Sequence, residues 1–332
     1  MNIENKPGYI ALYESGELAR RVEVLEERLK RCDLCPRRCF KNRADRERGA
    51  CHSGVLPMVS NFCAHRGEEP ALSGTRGSGT IFFGNCNMAC VYCQNYQISQ
   101  EPDNQESNEI TCTELAQRML YLQDELHCHN INLVSPTHFV PQIMRAVLEA
   151  VPLGLHLPLV YNTGGYDRVE TIALLDGIID IYLPDLRYSS DRWAMRYSGA
   201  PTYVRSARAA IKEMYRQVGD LVMDGDGVAV KGMIVRHLIL PNDLAGSKDS
   251  LEWLATEISP AVTVSIMSQY YPTHKAGQIS ELARTITRQE YTMVVDEVNR
   301  LGLENGWIQE MGADRTYKPD FKKEGHPFEA KE

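Results

Sequence analysis

Three closely spaced cysteines have the spacing of an iron–sulfur ligand loop. Cys86, Cys90 and Cys93 form the pattern C-x3-C-x2-C directly after the apolar run 80–83. Such a loop can bind three irons of a [4Fe-4S] cube, which leaves the fourth iron without a protein ligand and free to bind a small molecule. The alternatives are a structural zinc knuckle or three unrelated buried thiols. Zinc sites usually close with a fourth ligand from a nearby paired motif, and none follows here. The spacing therefore favours an open [4Fe-4S] cluster.

A second group of cysteines lies nearer the N-terminus, in an arginine-rich segment. Its pattern, C-x2-C-x3-C-x11-C, is formed by Cys32, Cys35, Cys39 and Cys51. Four such thiolates can close a tetrahedral zinc site or hold a second iron–sulfur cluster, and both metals remain open at this point. Cys63 and His65 lie close enough in sequence to replace one ligand. Cys112 and Cys128 lie in or beside an apolar helical pattern and are predicted to be unreactive core thiols.

The cysteine loop resembles that of the radical S-adenosylmethionine (radical SAM) superfamily. Tyr92 is the aromatic residue just before the third cysteine, and Gln94 and Asn95 follow it, as in an iron–sulfur protein family related to pyruvate formate-lyase activating enzyme. Further segments that read like that family occur at 67–70, 77–83, 132–138, 161–163, 182–186, 236–241 and 267–270. The resemblance runs from about residue 32 to residue 309, which is most of the chain.

The resemblance implies a reaction and its partners. In the superfamily the open iron binds the amino and carboxylate groups of S-adenosylmethionine (SAM), and an electron from the reduced cluster cleaves SAM to a 5'-deoxyadenosyl radical. The radical then abstracts hydrogen from a partner. For relatives of the activating enzymes this partner is expected to be a glycyl radical enzyme, and the electron is expected to come from a reductant such as flavodoxin or ferredoxin.

The resemblance also assigns several SAM-binding residues at the cysteine loop and at the second and third strand ends. Tyr92 is expected beside the adenine, although a buried core tyrosine is an equal alternative. The activating enzymes have a Gly-Gly-Glu-like stretch after the second strand, where Ser135 and Thr137 stand here and would supply oxygen atoms. Their acidic residue after the third strand, associated with a bound cation, is Asn162 in this chain.

Two later strands complete this set. The Asp-x-Lys motif of the activating enzymes corresponds to Asp185 and Arg187, and the arginine would bind the SAM carboxylate with a bidentate fork. His237 is expected to face the ribose or the carboxylate. Polar residues at strand ends often only cap the following helix, and this alternative stays open for Ser135, Asn162 and Asp185.

Short apolar runs alternate with helical patterns downstream of residue 77. The runs are 80–84, 130–135, 157–162, 178–183, 232–240 and 262–267, and helical patterns include 112–126, 207–218, 250–258 and 288–301. Alternation at this spacing predicts parallel βαβ units. An open doubly wound sheet and a partial barrel both fit, but six polar strand ends suggest one shared mouth. We therefore predict an α/β fold, a partial (βα)6 TIM-like barrel with an N-terminal cysteine-rich metal-binding extension.

Local signals predict the domain limits and two helix starts. Ser15 is the expected N-cap of an amphipathic helix over 15–31, and Thr111 and Glu114 form a capping box. The predicted domains are an N-terminal helix with a metal-binding module at 1–76, the barrel at 77–310, and a charged, frayed or lid-like tail at 311–332.

Composition restricts the functional class. The 332 residues are 43% hydrophobic and 24% charged, as in ordinary globular proteins. A net charge of −8 argues against general nucleic-acid binding. Because no stretch has secretory or membrane-spanning length, the protein is expected to be cytoplasmic, and its ten cysteines are interpreted as metal ligands and reduced thiols.

The leading hypothesis is a radical SAM enzyme that acts on a partner such as a glycyl radical enzyme. A second enzyme hypothesis is radical modification of a small molecule, another protein or RNA. The hypothesis from another class is a non-catalytic iron–sulfur or zinc electron carrier, but a fully ligated cluster would need four cysteines where this loop has three.

Overall fold

The computed structural model describes residues 6–313, 318–323 and 325–328 as a mostly parallel α/β structure. The strands of the described residues are β1 (Val59–His65), β2 (Ser78–Phe83), β3 (Ile131–Val134), β4 (Leu159–Thr163), β5 (Ile181–Pro184), β6 (Val222–Met223), β7 (Ala229–Leu238), β8 (Thr263–Met267) and β9 (Gly306–Ile308). They form one sheet of order β1-β2-β3-β4-β5-β7-β8-β9, with β6 paired to β7. The strands from β2 to β9 along this path are parallel, whereas β1 and β6 are antiparallel to their neighbours.

Helices precede the first strand and separate most of the strands from one another. They are α1 (Gly8–Glu14), α2 (Glu17–Glu27), α3 (Pro70–Ser73), α4 (Tyr96–Ser99), α5 (Cys112–Asp124), α6 (Val140–Ala150), α7 (Val169–Ile172), α8 (Asp191–Ser198), α9 (Tyr203–Val218), α10 (Ser247–Glu257) and α11 (Arg288–Leu301). None of these described helices is long and apolar enough to cross a bilayer.

The order of the strands follows the order of the chain. Each parallel strand lies beside its predecessor, apart from the short hairpin strand β6. The order therefore lacks the reversal of direction that marks the switch point of a doubly wound sheet. Because the carboxyl ends of parallel strands lie at one edge, this order brings the polar strand ends together.

All six predicted strands are present, with shifts at their ends. The capping box is also confirmed, because the Thr111 hydroxyl accepts a hydrogen bond from the Glu114 N–H at 3.1 Å and the Glu114 carboxylate accepts from the Thr111 N–H at 2.7 Å. The predicted N-cap at Ser15 is wrong. Gly16 has a φ of 77° and separates α1 from α2, so Ser15 ends α1 and its hydroxyl donates to the Leu12 carbonyl.

The N-terminal region packs onto the sheet layer at two places. Arg145 on α6 forms a bidentate ion pair with Glu26 on α2, at 2.8 and 2.6 Å. β1 pairs with β2, although it lies before residue 76. The division at 76/77 and the separate tail at 311–332 stay predictions, and residues 314–317, 324 and 329–332 of that tail lie outside the described residues.

Candidate active site

The three-cysteine loop begins where β2 ends. Asn85 has a φ of 64°, and its N–H donates to the Ile98 carbonyl at 2.7 Å, so the chain turns sharply before the first cysteine. Two loop amides hold the loop against the end of α8: Ala89 donates to the Ser198 carbonyl and Val91 to the Tyr197 carbonyl, at 2.9 and 2.8 Å. The loop is therefore fixed by backbone hydrogen bonds on both sides of Cys90.

The three thiols affect one another electrostatically. Burial, followed by the neighbouring Cys90 and Cys93, raises the pKa of Cys86 to about 12. Burial and Cys90 raise the pKa of Cys93 to about 11, while Arg187 acts in the opposite direction on both. Metal binding requires thiolates. These two thiols would therefore lose their protons only when a cationic metal centre binds.

Two of these sulfur atoms lie within hydrogen-bond distance of neighbouring polar groups. The Met88 N–H donates to Cys86 Sγ at 3.4 Å, and Cys93 Sγ lies 3.2 Å from the Ser99 hydroxyl. Within the part of the chain that the structure describes, no three His, Cys, Asp or Glu side chains are grouped as ligands of one metal ion.

A cavity of about 620 Å³ lies beside this loop. This volume lies in the range of small-molecule and cofactor sites. Its lining comes from the cysteine loop, the carboxyl ends of several strands, the segment before α3 and one C-terminal aromatic residue. The lining includes His65, Glu68, Glu69, Tyr92, Cys93, Ser135, Asn162, Asp185, Arg187, Arg236 and Phe328.

Five of the seven predicted cofactor residues line this cavity. They are Tyr92, Ser135, Asn162, Asp185 and Arg187. Tyr92 is 3% exposed, and its hydroxyl is 2.6 Å from that of Tyr188. Ser135 has a φ of 57° and its N–H donates to the Asn162 carbonyl at 2.9 Å, which joins the ends of β3 and β4. No finding assigns a ligand to these residues, so their cofactor roles stay predictions.

Arg187 links the cysteine loop to the cavity. It forms an ion pair with Asp185, and its buried Nε has no hydrogen-bond partner among the described residues. Burial alone would lower the pKa of Arg187, but the charges of Asp185, Cys90 and Tyr92 raise it, so the guanidinium stays protonated. A free donor on a fixed cation is suited to an anionic group of a ligand.

Thr137 and His237 do not line the cavity. The Thr137 hydroxyl donates to Asp167 at 2.8 Å and is 2% exposed. His237 is fully buried on the other face of β7, where its ring contacts the Leu186 carbonyl at 2.7 Å and the Ser247 hydroxyl at 2.9 Å. Successive side chains of a strand alternate between faces, and it is Arg236 that faces the cavity.

Arg236 and two glutamates form a buried charge cluster that the sequence analysis did not assign. Arg236 donates to both carboxylate oxygens of Glu69, at 2.7 and 2.6 Å, and also pairs with Glu68. Its third contact is Asn162 Oδ1 at 3.4 Å. Burial would raise the pKa of Glu69, but Arg236 outweighs it and lowers the pKa. The signals were the Glu-Glu pair at 68–69 and a lone arginine in an apolar run.

The second cysteine group lies around a different and smaller cavity. Cys32, Cys35, Cys39 and Cys51 line it together with Arg37, Arg43 and His138. Cys63 and His65 are elsewhere, because both lie on β1 and His65 lines the larger cavity. Cys112 begins α5 and Cys128 is buried in the core, and neither lines either cavity.

Comparison with known proteins gives one relative over most of the chain. No family model matches. The uncharacterized protein MJ0674 of Methanocaldococcus jannaschii is 29% identical over 291 residues, which cover 86% of this chain and 79% of that protein.

Three solved structures overlap this chain in part. HydG, a maturase of the [FeFe]-hydrogenase, has a TM-score of 0.44 at 13% identity, with 70% of this chain and 52% of HydG covered. Methylornithine synthase (PylB) has a TM-score of 0.40 at 16% identity, with 68% and 61% covered. SuiB of Streptococcus suis has a TM-score of 0.42 at 9% identity, with 70% and 49% covered. This chain thus spans about half of HydG and SuiB and about three fifths of PylB.

Proposed function

We propose that the protein is a radical SAM enzyme that binds a [4Fe-4S] cluster through Cys86, Cys90 and Cys93. The observation that carries this proposal is a three-cysteine loop that opens onto a cavity of about 620 Å³. Cys93 and Tyr92 of the loop belong to the cavity wall. The consecutive parallel strands are consistent with the partial barrel expected for this function.

The residues around the loop fit both the cluster and SAM. The trio offers three sulfur donors and leaves one iron of a cube for SAM. Arg187 offers an unpartnered Nε and a retained positive charge for the SAM carboxylate. When bound and reduced, the cluster supplies the electron that cleaves SAM to a 5'-deoxyadenosyl radical, which abstracts hydrogen.

Other side chains would orient the nucleoside end of SAM and exclude water. Tyr92 is buried beside the thiols and its hydroxyl is held by Tyr188. Ser135 and Asn162 lie at adjacent strand ends and present polar groups to the same cavity. The Arg236–Glu68–Glu69 cluster forms a further part of the wall and would bind polar groups of SAM or of the substrate.

Two substrate classes follow from different observations. The sequence resemblance favours activation of a glycyl radical enzyme, in which the abstracted atom is a backbone glycine hydrogen. The second candidate, a small molecule, is favoured by the C-terminal segment: Phe328 lines the cavity and stacks on His65, with ring centroids 4.2 Å apart. In enzymes with a lid, a segment that contributes to the wall of the site closes over the bound substrate.

The test is reductive cleavage of SAM by anaerobically reconstituted protein. With iron, sulfide, dithionite and SAM, we expect 5'-deoxyadenosine and methionine, detected by mass spectrometry. Cys90→Ala should abolish the product because it removes a cluster ligand, whereas Cys112→Ala should retain it. A wild-type protein with about four irons per chain at the trio and no 5'-deoxyadenosine would contradict the proposal and favour the electron-carrier hypothesis.

The same assay separates the substrate classes. An anaerobic lysate of cells that produce the protein is divided by dialysis into a small-molecule and a macromolecular fraction. Faster formation of 5'-deoxyadenosine with the dialysable fraction supports a small-molecule substrate. Stimulation by the retained fraction alone supports a macromolecular partner, and a new glycyl radical signal in electron paramagnetic resonance would identify it.

A further inference from the structure

Residues 32–57 form a long segment without helix or strand, yet the segment has one defined path. Four of its non-glycine residues, Arg38, Phe40, Arg46 and His52, have positive φ values between 45° and 63°. Such backbone conformations are costly and persist only where the surroundings impose them. Backbone hydrogen bonds close short loops within the segment, including two of 2.9 Å between Cys32 and residues 40–41. Side-chain bonds of Arg37 and Arg43 to backbone carbonyls fix its path further, in place of regular secondary structure.

The segment encloses four cysteine thiols. Cys32, Cys35, Cys39 and Cys51 all line one small cavity, and none of them is in a disulfide. The Ala50 N–H donates to Cys39 Sγ at 3.5 Å. A Cβ atom on Gly49 would lie only 3.0 Å from that sulfur, so the chain approaches the thiol as closely as glycine allows.

The wall of this cavity carries positive charge that would offset thiolates. Arg37, Arg38 and Arg43 line it together with the cysteines. Arg43 is 2% exposed and is fixed by hydrogen bonds to the carbonyls of Gly54 at 2.9 Å and His138 at 2.7 Å. A buried, fixed cation among four sulfur ligands would offset the negative charge of a tetrathiolate metal centre.

We propose that Cys32, Cys35, Cys39 and Cys51 bind a second metal centre that is separate from the cluster of the three-cysteine loop. The four thiols line a cavity, and among the described residues no three His, Cys, Asp or Glu side chains are grouped around one metal-ion position. This spread suits an iron–sulfur cluster, in which each cysteine binds a different iron. The alternative is a single zinc ion bound by the same four thiolates. The test below separates the two metals.

The second centre would lie against the catalytic loop. Arg37 donates to the Asn87 carbonyl at 2.5 Å and to the Gly199 carbonyl at 2.8 Å, so it joins the cysteine segment to the loop and to the end of α8. On the other side, the His138 ring contacts the Gly84 carbonyl at 2.9 Å, just before that loop. A metal that folds the segment would therefore also support the three-cysteine loop.

The test counts metals in full-length variants purified without oxygen. The first variant replaces Cys86, Cys90 and Cys93 with Ala, which removes the catalytic cluster but leaves the four-cysteine site. We expect it to keep about four irons with sulfide, or about one zinc, per chain. Electronic absorption near 400 nm distinguishes the iron–sulfur centre from colourless zinc.

Two further variants complete the design. Cys35→Ala combined with Cys39→Ala in the triple variant should lose this remaining metal, whereas Cys112→Ala combined with it should not. If the triple variant has native circular dichroism and contains neither iron nor zinc, the second centre is wrong, even where wild-type protein cleaves SAM. Conversely, metal in the triple variant supports the second centre even where the wild type yields no 5'-deoxyadenosine.

Discussion

Among single residues, Arg187 is the side chain that connects the cysteines to the ligand cavity. Its charge affects the pKa values of Cys86 and Cys93, and it also lines the cavity. Asp185 holds it on one side, while its Nε remains without an acceptor among the residues the structure describes. A buried donor without a partner is costly, which a bound carboxylate would remedy.

Replacing Arg187 with Lys should weaken SAM binding without removing the cluster. Lysine keeps the charge and the pair with Asp185 but loses the planar fork. We expect the Kd for SAM to rise about tenfold, or ~1.4 kcal/mol, as for loss of one hydrogen bond to a charged group. Equilibrium dialysis of the reconstituted variant measures this. Arg300→Lys, at an exposed ion pair, is the control, and an unchanged Kd with full iron content would refute the assignment.

For single residues, the sequence predicted which residue types occur near the site better than it predicted which way their side chains point. The cysteine trio and the strand-end polar residues were recognisable from spacing alone. The choice between Arg236 and His237 was not, because both interrupt one apolar run and a shift of one residue exchanges the two faces. What decides is a distant acidic partner: Glu69 is 167 positions away from Arg236, and no local pattern specifies that pair.

Among the elements, the carboxyl ends of the parallel strands differ in role from the amino ends. The carboxyl ends carry the cavity, whereas the amino ends are held together by structural polar groups such as Asp180. Its carboxylate accepts a hydrogen bond from the N–H of Leu159, the first residue of β4, at 2.9 Å. Its backbone also bonds to Leu159 and to Gly232 within β7, so this residue directly before β5 links β4, β5 and β7.

Asp180 should make stability depend on pH. Burial, only partly offset by hydrogen bonds from Leu159 and Gly8, raises its pKa to about 7, whereas the unfolded value is about 3.9. Between these values the folded state binds a proton that the unfolded chain does not, so stability falls as pH rises through this window. The melting temperature of Asp180→Asn relative to wild type should therefore be higher at pH 8 than at pH 5. Asp226→Asn, on an exposed turn, serves as control, and a difference independent of pH would contradict the assignment.

Element prediction succeeded where the signal is local. The Thr111 capping box and six apolar runs were found because each depends on neighbouring residues. β1, β6 and β9 were not predicted, since polar residues interrupt β1 and the other two span only two and three residues. Each gains strand structure by pairing, with β2, β7 and β8 respectively. The break at Gly16 was missed for a similar reason: α1 is fixed by a distant contact, in which the Tyr9 hydroxyl donates to the Leu157 carbonyl at 2.9 Å.

In the whole molecule, the cysteine-rich segment and the sheet meet at the three-cysteine loop. Strand order brings the polar strand ends to one cavity, and α2 and residues 32–57 pack on one side of the sheet against α6 and the loop. Sequence order indicated the consecutive βα units but gave no sign of this docking. The contact is made by arginine side chains and backbone carbonyls, which have no sequence signature.

Arg37 should therefore control how firmly the three-cysteine loop is held. Its guanidinium bonds to the carbonyls of Asn87 and Gly199, which flank the amide contacts of Ala89 and Val91 with α8. In Arg37→Ala both carbonyls lose a donor, at about 1 kcal/mol each and about 2 kcal/mol together, so we expect the amides of 87–91 to exchange with deuterium about thirtyfold faster. Mass spectrometry of the anaerobically purified protein, as isolated, measures this. Lys41→Ala, on the exposed side of the same segment, should leave the exchange unchanged. Equal exchange in Arg37→Ala and wild type would mean that the cysteine-rich segment and the three-cysteine loop are mechanically independent.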